Sequence, residues 1–171
     1  MLPVRHSAEI AFEDAVRRHS RELFRYAYWL TRDTARAEDI VQDTFLRAWS
    51  AWNDLRDPAA LKGWLYAILV NEHRRRHGRS KVSLESREIE ENDLPYDCRF
   101  DVAIDMRRAL ALLPETLTWP LLLQVLGGFS TREIAGLLAT SEGAVMTRLT
   151  RARQAMRKLC GQDPLKQEIS R

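Results

Sequence analysis

The chain has 171 residues, 45% of them apolar, and carries 27 Lys/Arg against 24 Asp/Glu for a net charge of +3. That length allows one domain or two small ones, and the apolar content without any low-complexity tract excludes a disordered chain. No apolar run reaches the ~18 residues of a spanning helix. The opening MLPVRHSAEIAFEDAV also lacks the apolar stretch of a signal peptide, so a cytoplasmic location without membrane insertion is expected.

The four histidines are scattered, and Cys98 and Cys160 match no zinc or redox spacing. There is no nucleophile–base pairing and no glycine-rich phosphate loop. An enzyme is therefore the least favoured class, and neither a cofactor, a metal nor a small-molecule substrate is expected. The near-neutral total hides a segregation. Residues 1–80 hold 14 Lys/Arg against 11 Asp/Glu, residues 81–101 hold 3 against 7, and residues 102–171 hold 10 against 6.

The first block shows helical periodicity and no credible strand. One helix is expected over roughly Ala8–Leu30. A second starts at an Asp33 or Thr34 cap and runs to about Trp52, with Val41, Phe45, Ala48, Trp49 and Trp52 as its core stripe. Its opposite surface shows Asp39, Gln42, Asp43 and Leu46. Asp39 and Asp43 are a like-charge pair four residues apart, which costs an isolated helix a few tenths of a kcal/mol. A solvated face accounts for such a pair equally well.

A third helix has Asp57 as cap and Pro58 at its first position. Leu61, Leu65, Ile68 and Leu69 form its buried side, with Lys62, Tyr66, Val70, His73 and Arg74 pointing roughly the other way. Aromatics beside a cationic strip suit unpaired nucleic acid, because rings stack on bases while cations track phosphates. The plainer alternative makes Trp64 a core residue and lets the arginines favour a helix C-terminus. His73 reads as nucleic-acid-facing or solvated, since no second ligand sits at helical spacing.

Residues 81–101, KVSLESREIEENDLPYDCRFD, have few aliphatics and no helical period, and read as an acidic, flexible linker. Fully stretched, it spans roughly 70 Å at ~3.3 Å per residue. That equals about two turns of duplex.

Beyond it, Ala103–Leu113 reads as a helix ended by Pro114. Leu121, Leu122 and Val125 are expected to fill the core of the apolar stretch Leu117–Phe129, with Pro120 forcing a kink or a helix restart near Thr118. The segment Phe129–Leu159 has the form of a helix-turn-helix. Ser130 and Glu133 form a capping box, the chain breaks at Ala139–Ser141, and Ser141 caps the next helix. Val145, Leu149, Ala152, Met156 and Leu159 make one apolar stripe on that helix. Gly143, Thr147, Thr150, Arg151 and Lys158 lie opposite, with Arg148 and Arg153 on the flanks. A basic face alone is common on amphipathic helices. The capped short helix, the tight break and Gly143 near the helix start favour DNA, because they let backbone approach a phosphate closely.

Glu133-Ile134-Ala135, Gly143-Ala144-Val145 and Thr147-Arg148-Leu149-Thr150-Arg151-Ala152-Arg153 together resemble region 4.2 of a bacterial sigma factor of the extracytoplasmic-function (ECF) group, in the sigma-70 family. Thr147 stands where serine is usual, and Ala139 where glycine is. The run Ala37–Trp49 resembles region 2.2, the helix that binds polymerase. Trp64-Leu65, Ile68 and Asn71 followed by the basic cluster resemble regions 2.3 and 2.4, with Arg75 at a position where many members carry an acid. Leu113-Pro114-Glu115 resembles the start of region 4.1, from which Pro120 departs.

This resemblance implies an all-α protein of two small helical domains, residues 1–80 as region 2 and 102–171 as region 4, joined by the linker 81–101. It implies binding to core RNA polymerase through Asp39, Gln42, Asp43 and Leu46. Capture of the opened −10 element would fall to Asn53, Arg56, Lys62, Trp64, Tyr66, Asn71, Arg74 and Arg75. Reading of the −35 duplex would fall to Ser141, Glu142, Gly143, Met146, Thr147, Arg148, Arg151 and Arg153, the arginines mainly on phosphates. A negative partner, a membrane-linked anti-sigma factor that holds the protein inactive until a stress signal, is implied too. Two rivals remain at this level. A polymerase-independent helix-turn-helix regulator leaves Glu38–Trp49 without a task. A sigma mimic that titrates an anti-sigma factor is expected to lose the DNA-facing arginines.

Overall fold

The computed structural model describes the backbone of residues 3–79 and 100–161. The chain divides into two compact units, Met1–Glu90 and Glu91–Arg171, and every described element is helical. Most of the acidic strip lies outside the described residues; its last two residues already belong to a helix. Among the described residues, no helix is long and apolar enough to cross a membrane.

The first unit comprises α1 (Pro3–Thr31), α2 (Thr34–Ser50), two 3-10 turns (Trp52–Asp54 and Pro58–Ala60) and α3 (Leu61–Arg79). Between α1 and α2 the chain reverses through Arg32, whose φ of 54° is left-handed, and Asp33. Asp33 is extended, and its carboxylate accepts the Arg36 N–H at 3.0 Å, capping α2 as expected. Asp57 caps the second 3-10 turn by accepting from the Ala59 N–H at 2.9 Å, and Pro58 supplies the fixed φ of a first position.

The core is built where Leu23, Tyr26 and Ala27 of α1 meet Ala37, Ile40, Val41, Thr44 and Ala48 of α2 and Leu65, Tyr66, Leu69 and Val70 of α3. Two sequence expectations are corrected here. The buried stripe of α2 is rotated towards Ile40 and Thr44, and Trp49 is 44% exposed. Thr44 can enter the core because its hydroxyl donates to the Ile40 carbonyl at 2.7 Å. Phe45 and Trp52 are half-buried; with Trp49 they surround Phe12 of α1, ring centroids 4.9–6.3 Å away, at the rim of the core. On α3, Tyr66, Val70 and His73 are buried rather than outward, because α1 and α2 cover α3 from both sides of its apolar stripe.

The second unit comprises α4 (Phe100–Leu112), α5 (Glu115–Val125), α6 (Thr131–Leu138) and α7 (Glu142–Gly161), with α4, α5 and α6 all packed on α7. Leu121, Leu122 and Leu123 are buried, whereas Val125 is 68% exposed; Leu123 takes the core place expected for it. No restart occurs at Thr118, since α5 is continuous from Glu115 through Pro120. Pro120 lies in the second turn, so the one carbonyl deprived of its donor is that of Thr116, an exposed residue beside solvent.

The α5–α6 turn uses two glycines for different reasons. Gly128 has φ +69°, while a Cβ on Gly127 would come within 2.6 Å of the Leu123 carbonyl and of the Phe129 ring.

Candidate functional site

Within the first unit, the outer face of α2 presents Asp39, Gln42 and Leu46 as exposed residues, with Asp43 half-buried beside them. Leu46 is 58% exposed, an apolar side chain in water. Gln42 and Leu46 also help line an open cleft of about 450 Å³ between α1 and α2, with Phe12, Phe45 and Trp49 as its apolar floor and Glu9 and Glu13 on its rim.

The two aspartates are not isolated. Arg76 of α3 donates to Asp43 and, at 3.3 Å, to Asp39, and the Asp43 hydrogen bond is the main reason its guanidinium is held in the charged form above its usual range. Arg75 reaches within 3.8 Å of Asp43 and donates to Glu72 through Nε at 3.1 Å and Nη2 at 2.6 Å. Arg47 of α2 bridges the other oxygen of Glu72, which is only 2% exposed. A ladder of alternating charge, from Asp39 to Arg47, therefore ties α2 to α3.

Glu72 was not among the residues singled out from sequence, although it stands one position after Asn71 and three before Arg75. Its importance is set by the facing Arg47, which no spacing along α3 can reveal.

The candidates on and before α3 separate into two groups. Asn53, Arg56, Asn71 and Arg74 are exposed. Trp64 is half-buried with its ring centroid 6.2 Å from Trp52, and Lys62 lies 3.4 Å from the Glu22 carboxylate of α1. Arg75 is exposed but engaged with Glu72 and Asp43. Tyr66 is fully buried, edge-on to Tyr26 at 5.3 Å, and burial pushes its phenol far above the ordinary range. It belongs to the core and is withdrawn as a stacking surface for bases. His73, 1% exposed, is likewise neither solvated nor nucleic-acid-facing.

The second unit holds its candidates on one helix. The Ser130–Glu133 capping box is complete: the Ser130 N–H donates to Glu133 at 2.8 Å, and the Glu133 N–H donates to the Ser130 hydroxyl at 3.3 Å. Ala139 ends α6 in the left-handed region, φ 50°. Ser141 then caps α7 by accepting from the Ala144 N–H at 3.2 Å. Val145, Leu149 and Ala152 are buried, so Glu142, Gly143, Met146, Thr147, Thr150, Arg151 and Arg153 remain exposed, with Arg148 half-buried.

Arg153 donates to the Gln124 side chain at 2.5 Å and is partly committed to α5. Gln154, exposed one turn beyond Thr150, is a further polar residue that the sequence reading passed over. One face of α7 is thus fixed by packing while the other is open to a groove.

Comparison with known proteins agrees in both units. The profile described as Sigma-70 region 2 matches residues 15–81, and that of Sigma-70, region 4 matches residues 103–156. The ECF RNA polymerase sigma factor SigM of Mycobacterium tuberculosis is 32% identical over 153 residues, covering 88% of this chain and 78% of that protein. SigL of the same species is 34% identical over 148 residues, covering 81% and 82%.

Among solved structures, the fold is similar to a chain of the complex of the sigma factor RpoE with the anti-sigma factor NepR from Bartonella quintana. The TM-score is 0.75 with 28% identity, covering 90% of this chain and 98% of that one. The complex of CnrH with the cytosolic domain of CnrY gives a TM-score of 0.67 with 28% identity, covering 91% and 90%. With a region 2 helical unit, a region 4 helix-turn-helix unit and relatives of this identity and coverage, the chain belongs to the ECF group of RNA polymerase sigma factors in the sigma-70 family.

Proposed function

We propose that this protein binds core RNA polymerase and directs promoter-specific initiation, with no covalent chemistry of its own. The observation that carries the assignment of surfaces is the open face of α7, capped by Ser141 and backed by a buried stripe, in the same chain as an exposed acidic and polar face on α2. Asp39, Gln42, Asp43 and Leu46 dock on the polymerase. Asn53, Arg56, Asn71 and Arg74, with Lys62, Trp64 and Arg75 behind them, hold the opened −10 strand. Opening a base pair costs only a few kcal/mol, comparable to stacking on an aromatic surface.

Ser141–Arg153 read the −35 duplex. Arg148, Arg151 and Arg153 act mainly on phosphates, which position the helix without specifying sequence. Residues 1–80 and the helical unit that opens with α4 at Phe100 are the two working domains, with the stretch between them as the tether. The protein works in the cytoplasm, and an anti-sigma factor restrains it by covering the same surfaces; the related sigma factor RpoE, solved in complex with the anti-sigma factor NepR, supports a partner of this kind.

Run-off transcription with core enzyme and genomic fragments tests the whole reading: defined start sites should arise only when this protein is present. Asp39→Arg with Asp43→Arg should abolish core binding, measured by gel filtration, while duplex binding by the full chain persists. Unchanged core binding would show that the α2 face is not the polymerase surface.

A further inference from the structure

We propose that α7 selects its duplex by the 5-methyl groups of thymine, with Met146, Thr147 and Thr150 as the specificity-determining residues. This rests on the reading of α7 as the −35 reader and names what that surface recognises. Gly143, Met146, Thr147 and Thr150 follow one another at steps of three, one and three, and form one exposed face opposite the buried Val145, Leu149 and Ala152.

The Thr147 hydroxyl donates to the Gly143 carbonyl at 2.9 Å, and the Thr150 hydroxyl donates to the Met146 carbonyl at 3.0 Å. Each threonine therefore spends its one proton on its own helix and turns a methyl group and an acceptor oxygen outward. Met146 is 59% exposed and contributes a thioether, which has no donor; Gly143 contributes no side chain. The centre of the first two turns of α7 thus offers methyl groups and acceptors, and no side-chain hydrogen-bond donor.

In the major groove guanine presents only acceptors, N7 and O6, which this face cannot satisfy. Thymine presents a methyl group, the apolar partner that Met146 and the two threonine methyls fit. Glu142, exposed in the first turn, is an acceptor as well and suits an exocyclic amine of a neighbouring cytosine. The donors on this side of the helix come later: Arg151 is one turn after Thr147 and Gln154 one turn after Thr150, beyond the bases that Met146, Thr147 and Thr150 face. Arg153 is held by Gln124, and the arginines fit phosphate contacts better than base edges.

The experiment uses the full chain and duplexes enriched by it from a random library, with affinity measured by fluorescence anisotropy at fixed salt. Replacing each thymine of the enriched element in turn by deoxyuridine removes one methyl group and nothing else. At least one position should weaken by roughly fourfold, the worth of one buried methyl. Met146→Ala should erase that difference at the position it reads, and 5-methylcytosine there should bind better than cytosine. If deoxyuridine at every thymine leaves wild-type affinity within about twofold, methyl readout is overturned while duplex reading by α7 stands. If no duplex is enriched, or Arg151→Ala leaves affinity and its salt dependence unchanged, both readings fall.

Discussion

Tyr26 and Tyr66 face each other in the core of the first unit, and burial is the first cause of the upward displacement of both phenols. Their folded-state pKa values lie above the value near 10 of an unfolded tyrosine. Below about pH 10 both states hold the proton and stability is unaffected. Above it the unfolded chain ionises while the native core cannot, so stability falls as pH rises, by up to ~1.4 kcal/mol per pH unit for each tyrosine. Urea unfolding at about pH 9 and about pH 11 should show that loss, and Tyr26→Phe should reduce it.

At neutral pH the same substitution should be neutral or stabilising by about 1 kcal/mol, since the Tyr26 hydroxyl is buried with no hydrogen-bond partner among the described residues. Glu72 behaves in the opposite way. Removing both of its arginines, Arg47→Ala with Arg75→Ala, leaves a buried carboxylate uncompensated and should cost about 2–3 kcal/mol, more than Glu72→Gln. Urea midpoints of the double variant and of Glu72→Gln compare the two costs.

Among the elements, α6 begins on a complete capping box and ends on a residue in a strained conformation. Ala139 occupies a left-handed conformation that glycine adopts freely. Ala139→Gly should therefore stabilise the second unit by about 1 kcal/mol, while Ser130→Ala, which removes half of the capping box, should destabilise it by about the same amount. Thermal unfolding followed by circular dichroism should move in opposite directions for the two variants. Should both lower the midpoint, the left-handed residue at 139 is held by contacts that a glycine loses.

For the whole molecule, the ladder Asp39–Arg76–Asp43–Arg75–Glu72–Arg47 makes the acidic face of α2 and the basic end of α3 counterions of one another. Its Arg76 end, with Asp39 and Asp43, is open to solvent, and pairs of that kind contribute roughly 0–1 kcal/mol each, weak enough for a partner to replace. Arg76→Gln should free Asp39 and Asp43 and tighten core-polymerase binding several-fold, measured by titration of labelled protein. Weaker binding would mean that Arg76 itself touches the polymerase. On the nucleic-acid side, Arg151→Ala should lower the slope of log affinity against log salt by about 0.9, the signature of one phosphate contact.

How much of this was legible along the chain depends on the range of the forces involved. Caps and breaks are local: Asp33, Ser130 with Glu133, and Ser141 act within three residues, and their side-chain chemistry alone determined where helices begin. Asp57 also caps as expected, but it starts the 3-10 turn Pro58–Ala60, and α3 itself begins at Leu61. The apolar period of α7 was equally readable, because one neighbour surface covers one face.

The tertiary structure decided what lies beneath more than one neighbour. α3 is covered by both α1 and α2, so Tyr66, Val70 and His73 are buried despite lying off its main stripe, and α2 is rolled so that Trp49 leaves the core and Thr44 enters it. The partners of Glu72, Asp39 and Asp43 were invisible for the same reason. An ion pair between helices depends on how two faces are rotated onto each other, and that rotation is set by the packing of the whole unit, which no spacing within either helix records.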